Sequence, residues 1–211
     1  MRGWIISNGS MGNYSFYKNK ITQSDLIICA DGGAIHAEKM GIIPHVIIGD
    51  LDSIENNCNN RMLSKEVKFI KYLTDKDETD TQLAVEYAIQ NGCSEIILIG
   101  CLGSRFDHSF ANVSLLKFIL DRKRKGMILN ENNEIYLIDN CIQLKGKIGE
   151  KVSLLPITKE VNGITTDGLQ YALQNAQMIF GIPNGVSNVF VQPNVKISIR
   201  KGLLLVIKAH D

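Results

Sequence analysis

The chain has 211 residues, of which 45% are hydrophobic and 21% charged, a balance that excludes wholesale disorder. Its 23 basic and 22 acidic side chains leave a net charge of +1, so no global field draws it to nucleic acid or to an anionic membrane. The length suits one large domain or two small ones.

In chain order, the first half repeats a short apolar run that ends in Gly, Asp or Asn. Trp4-Ile5-Ile6 runs into Ser7-Asn8-Gly9, and Leu26–Ala30 into Asp31-Gly32-Gly33. Val46-Ile47-Ile48 leads to Gly49-Asp50-Leu51-Asp52-Ser53, and Ile96–Ile99 to Gly100-Cys101-Leu102-Gly103. Unbroken β-branched runs read as strands buried on both faces, hence a parallel sheet. Leu83, Ala84, Tyr87 and Ala88 repeat at helical spacing up to a capping Gly92, and Val113, Leu116 and Leu120 mark a helix after Asp107. This alternation predicts a doubly wound α/β domain over residues 1–125.

The basic run Arg122-Lys123-Arg124-Lys125 reads as a solvated helix end. Beyond it come short runs with turn signals: Met127–Leu129, Ile135–Ile138, Ile142–Leu144, Val152–Pro156, Val189–Gln192, Lys196–Arg200 and Leu203–Lys208. Asn132-Asn133, Gly146, Gly149, Asn162-Gly163 and Lys201-Gly202 punctuate them. Their spacing predicts an antiparallel β-sandwich over residues 126–211. The uncharged stretch from Gly168 to Val195 holds too many amides to span a membrane. The N-terminus has only a three-residue apolar run and does not read as a signal peptide. Five cysteines contain no C-x-x-C pair, and Cys29, Cys93 and Cys101 sit in apolar runs, which suits buried thiols in a reducing cytoplasm.

The chemistry concentrates in loops after the strands. Asp50 and Asp52, two apart in an extended segment, face one side, and their mutual repulsion suits a hard cation such as Mg²⁺. Asp75-Lys76-Asp77-Glu78-Thr79-Asp80 opens the next helix. Thr79 with Gln82 fits a capping box, but capping does not require Asp77 and Asp80 to converge as well. Asp31 adds a carboxylate beside two glycines that would let backbone amides approach a phosphate. In the fourth loop, Arg105 between glycines and a helix start suits bidentate phosphate contact, with Asp107 and His108 beside it. No histidine pair has zinc-ligand spacing, and no G-x-G-x-x-G fingerprint follows a strand. Ordinary turn chemistry explains any one of these loops; their recurrence points to metal-assisted phosphate chemistry.

Taken in order, these motifs resemble the thiamine pyrophosphokinase (thiamine diphosphokinase) family. Asp31-Gly32-Gly33-Ala34, Gly41, Pro44 and Gly49-Asp50-Leu51-Asp52-Ser53 carry the likeness, continued by Lys76–Asp80 and Gly103–His108. Thr165-Thr166-Asp167-Gly168-Leu169-Gln170-Tyr171 and Gly185-Val186-Ser187-Asn188 extend it into the second half. Ser104 departs from a common second glycine and Val189 from a commonly polar position. The resemblance implies an α/β ATP-binding domain, then a β-sandwich, in a homodimer with active sites at the subunit interface. It implies transfer of the pyrophosphoryl group of ATP to the hydroxyl of thiamine, giving thiamine diphosphate and AMP. Asp50, Asp52, Asp77 and Asp80 would hold Mg²⁺. Asp31, Gly32, Gly33, Ser53, Lys76, Thr79, Gly103, Ser104, Arg105, Asp107 and His108 would bind ATP, and Tyr171, Ser187 and Asn188 thiamine. The alternatives are another Mg²⁺-dependent nucleotide or sugar-phosphate transferase, or a non-catalytic thiamine- or nucleotide-sensing module.

Overall fold

The computed structural model describes residues 1–49, 67–72 and 77–210; Asp50, Asp52, Ser53, Asp75 and Lys76 lie outside them. The chain divides into two compact units, Met1–Glu131 and Asn132–Asp211.

The first unit alternates strands and helices: β1 (Arg2–Ile6), α1 (Tyr14–Lys18), β2 (Leu26–Ala30), α2 (Gly33–Met40), β3 (Val46–Gly49), β4 (Lys68–Lys71), α3 (Asp80–Gln90), β5 (Glu95–Ile99), α4 (Phe106–Asp121) and β6 (Lys125–Leu129). The strands run parallel in the order β6-β5-β1-β2-β3-β4. Every residue of β3, and all but the first of β1, β2 and β5, is buried, which is why these strands read as unbroken apolar runs. One core joins Trp4, Ile6, Ile27, Cys29, Ile47 and Ile97 to Ala34, Ala37 and Met40 of α2. Asn91 caps α3 and Gly92 follows at φ +80°, the left-handed turn expected of that glycine. Thr79 caps the start of α3 by accepting from the Gln82 amide. The Gln82 side chain instead donates to Glu86, so the capping box is only half formed. Cys29, Cys93 and Cys101 are buried, as their apolar surroundings in the sequence suggest.

Met127–Leu129, grouped with the sandwich on its turn spacing, belongs instead to β6, parallel to β5. Gly126 makes this possible: a Cβ there would press on Leu116 and Ile119 of α4 at 3.1 and 3.2 Å.

The second unit is two antiparallel sheets. One has the order β12-β9-β14-β7, from β7 (Asn133–Ile138), β9 (Lys151–Pro156), β12 (Asn188–Val189) and β14 (Leu204–Ala209). The other is β11-β10-β13-β8, from β8 (Cys141–Lys145), β10 (Glu160–Asp167), β11 (Ala176–Ile179) and β13 (Asn194–Ser198). Alternate residues of β9 and β13 turn inward and meet in a core with Val161, Phe190 and Val206. Asn162-Gly163, a turn signal in the sequence, is a bulge inside β10: the register shifts there, and Gly163 at φ +72° lies beneath the Arg200 stem.

Lys208 on β14 is buried, and its ammonium donates to the Lys145 carbonyl on β8 at 2.8 Å, which ties one sheet to the other. Glu150 lies 3.1 Å and Glu134 3.6 Å from the same nitrogen. Lys208→Met is expected to cost about 3 kcal/mol, because it leaves two partly buried carboxylates facing each other without their cation. Denaturant unfolding checks this; a loss under half a kcal/mol would mean that water already screens the cluster.

Candidate active site

The strand order of the first unit reverses between β1 and β5, and open α/β sheets bind ligands beyond the carboxyl ends of strands at such a point. A cleft of about 970 Å³ opens there. Its walls are Ser7–Ser10 after β1, Ala30 and Asp31 at the end of β2, Glu78–Thr81 at the start of α3, Gly100–Arg105 after β5, and the first turns of α4.

Backbone contacts join the two central loops. The Ser7 amide donates to Ile99, Gly9 to Gly100 and Ser10 to Leu102. A Cβ on Gly9 would lie 2.5 Å from the Gly100 carbonyl, and one on Gly100, at φ +61°, 2.4 Å from that of Ser7. Side chains then lock the rim. Ser7 and Thr81 share a buried hydrogen bond at 3.0 Å, which seats α3 on the end of β1. The Ser109 hydroxyl accepts from the Gly103 amide at 3.0 Å, and Asn112 donates to the Cys101 carbonyl at 2.7 Å. Sequence reasoning missed Ser7–Ser10, Thr81, Ser109 and Asn112 as site residues. The one available signal was that Ser-Asn-Gly follows β1 as the charged loops follow the other strands.

Of the expected nucleotide and metal residues, Asp31, Thr79, Asp80, Gly103, Ser104, Arg105, Asp107 and His108 line this single cleft. Asp77 is exposed and is not among its walls. Asp31 takes φ +44° as it leaves β2, a left-handed conformation that Asp tolerates better than most residues. Gly32 and Gly33 serve packing and do not line the cleft. A Cβ on Gly33 would stand 1.9 Å from the Ile6 carbonyl, and one on Gly32 would stand 2.4 Å from the Asn8 amide nitrogen. Arg105 forms a two-pronged pair with Asp107, at 3.2 Å from Nε and 2.6 Å from Nη2. That pair, helped by the His108 amide, holds the Asp107 carboxyl down at about 2. Both side chains are open to water, so the guanidinium can exchange this carboxylate for a phosphate. Among the described residues no three ligating side chains form a metal cluster.

In the second unit, Tyr171, Ser187 and Asn188 come together. Asn188 is buried; its carbonyl oxygen accepts from the Tyr171 and Val189 amides, and its NH₂ donates to the Tyr171 carbonyl. These bonds tie the Asn188 carbonyl oxygen and one of its N–H groups to the main chain beside Tyr171. Tyr171 itself is 65% exposed. Ser187 sits at φ +61° with its amide donating to the Ser153 hydroxyl.

A family model described as the thiamin pyrophosphokinase catalytic domain matches residues 17–128, and one described as the thiamin pyrophosphokinase vitamin B1 binding domain matches residues 139–204. The chain is 28% identical over 189 residues to the thiamine pyrophosphokinase of Bacillus subtilis (strain 168), covering 88% of both. It is 28% identical over 212 residues to thiamine pyrophosphokinase 1 of Oryza sativa subsp. japonica, covering 88% of this chain and 80% of that one. A crystal structure of thiamine pyrophosphokinase from Bacillus subtilis superposes with a TM-score of 0.89 at 24% identity over the whole of both chains. The thiamin pyrophosphokinase of Candida albicans shares the fold at a TM-score of 0.81 and 18% identity, over 99% of this chain and 89% of that one.

Proposed function

The chain belongs to the thiamine pyrophosphokinase family and is an enzyme of that activity, and from this premise we propose how its residues divide the work. ATP binds in the cleft of the first unit, within residues 1–125, and thiamine is held by residues 126–211. The observation that carries this reading is the convergence of the β1, β2 and β5 loops with the starts of α3 and α4 on one polar cleft.

The thiamine hydroxyl attacks the β-phosphorus of ATP. A new O–P bond forms, the bond from the β-phosphorus to the α–β bridging oxygen breaks, and AMP leaves with charge developing on that oxygen. Positive partial charge at the start of α4 faces the polyphosphate, and Arg105 holds its oxygens once released from Asp107. Asp80 on the cleft wall and Asp77 beside it are hard oxygen donors, the type that suits Mg²⁺, and with Asp50 and Asp52 they would hold it. When bound, it supplies charge neutralisation along the polyphosphate. The transition state of phosphoryl transfer is loose, so no strong base is needed, and one of these aspartates accepts the hydroxyl proton.

Tyr171 supplies a π face for the cationic thiazolium ring. Tyr171→Ala is expected to raise the Michaelis constant for thiamine several-fold and leave that for ATP almost unchanged. Sedimentation accompanies the measurement, since a homodimer covering the exposed Phe180, Ile182 and Val186 is part of the proposal. A mutant that becomes monomeric and loses affinity for both substrates would make Tyr171 a subunit contact instead. The activity itself is tested by supplying ATP, Mg²⁺ and thiamine and identifying the nucleotide product. AMP is expected; ADP, or no turnover, would refute the assignment.

A further inference from the structure

We infer that His36 is a positioning residue for the reaction: through the Gly9 carbonyl it fixes the loop after β1 that forms one wall of the cleft. The inference rests on the reading that this cleft takes the polyphosphate of ATP.

His36 lies on the buried face of α2, outside the cleft walls. Its Nε2 is 2.8 Å from the Gly9 carbonyl oxygen, and its Nδ1 is 3.0 Å from the Tyr14 hydroxyl. A carbonyl only accepts, so Nε2 carries the proton. Burial disfavours the charged ring and pushes its pKa down, so Nδ1 is the acceptor and Tyr14 the donor. The chain of donors therefore has one direction, from Tyr14 through the imidazole to Gly9. On its other side, the same residue's amide donates to Gly100. Both ends of Gly9 are thus held, one by α2 and one by the loop after β5. Ser7, Asn8 and Ser10 flank it on the cleft wall. Without the imidazole, the Gly9 carbonyl is released on one side while the Gly100 contact remains, so the loop can tilt and misplace the wall that meets the nucleotide. A seating role of this kind falls on one substrate only, because thiamine is assigned to the other unit.

The test compares Michaelis constants for both substrates, with thermal midpoints, in His36→Leu, His36→Gln and Tyr14→Phe. His36→Leu is expected to raise the ATP constant about tenfold and leave the thiamine constant unchanged, consistent with loss of one hydrogen bond and an unsatisfied carbonyl. In His36→Gln the amide nitrogen stands where Nε2 was, and the ATP constant is expected to return to within about threefold of wild type. Tyr14→Phe removes only the hydroxyl and is expected to raise the ATP constant about threefold. An unchanged ATP constant in a folded His36→Leu protein overturns the inference. So does a joint rise in both constants that glutamine does not rescue, which marks a general packing role. Should His36→Leu fail to fold, Tyr14→Phe decides, with an unchanged ATP constant counting against the inference. A wild-type enzyme that makes no AMP would remove the nucleotide reading itself, and the inference with it; variants that differ from an active wild type leave that reading standing.

Discussion

Gly33→Ala is expected to be the most damaging conservative substitution in the first unit, costing about 3 kcal/mol or more and lowering the thermal midpoint by roughly 10 °C. On helix propensity alone the change should stabilise, since alanine is favoured over glycine by about 1 kcal/mol. Sterics decide otherwise. The new methyl would meet the Ile6 carbonyl oxygen at 1.9 Å and its carbon at 2.7 Å, and both are backbone atoms in the middle of a sheet. Neither can rotate away, so α2 must lift from β1 and unseat Ala34, Ala37 and Met40 from the core. Gly92→Ala is the control. Nothing lies within 4 Å of its Cβ, so only the strain of φ +80° remains, about 1 kcal/mol. Equal midpoints for the two variants would show that α2 is not seated as described.

Asp77→Asn is expected to lower turnover at least about 100-fold while changing stability by less than about 0.5 kcal/mol. The substitution keeps the side chain's size and removes its charge, and Asp77 is exposed, so the fold has little to lose. The proposed Mg²⁺ site loses one anionic oxygen donor, and the requirement for the ion should rise in step. Titration of activity against Mg²⁺ at saturating substrates measures both effects. Retention of more than half the wild-type rate at the usual Mg²⁺ concentration would remove Asp77 from the metal set.

Strands β1, β2, β3 and β5 were legible because burial on both faces demands an unbroken apolar run, and few other contexts do. Helix α2 was not. Its apolar side is Ala34, Ala37 and Met40 with a buried His36, too small and too polar a stripe to stand out, and its opening glycines suggested a loop. Edge strand β4 hid for the opposite reason: Lys68 and Lys71 are exposed, and Phe69 and Ile70 are only partly covered. In the second unit an internal bulge at Gly163 imitated a chain reversal. The site followed the same logic. Charged loops drew notice because clustered carboxylates need a reason, and Asp31, Asp80 and Arg105 do meet on one cleft. Ser7, Thr81 and Ser109 did not read as site residues because a hydroxyl gains its meaning from a partner distant in sequence or in the main chain. Asn188 stood out for its chemistry, and its hold on the main chain at Tyr171 could not be read from sequence, because the two residues are seventeen positions apart.

The position of β1 at the centre of its sheet also sets an order of events during synthesis. Trp4 lies opposite Ile27 on one side and opposite Ile97 on the other. The first partner leaves the ribosome soon after Trp4, while the second follows only after most of the unit has been made. In the interval, Trp4, Ile5 and Ile6 form an unpaired, wholly apolar strand edge, the kind of surface that recruits other chains. A nascent chain paused ahead of β5, or a fragment cut there, would carry that adhesive edge permanently. Arrival of β5 therefore covers the edge of β1 and brings the Gly100 loop against Gly9, so the event that shields Trp4, Ile5 and Ile6 also joins the two central loops of the cleft.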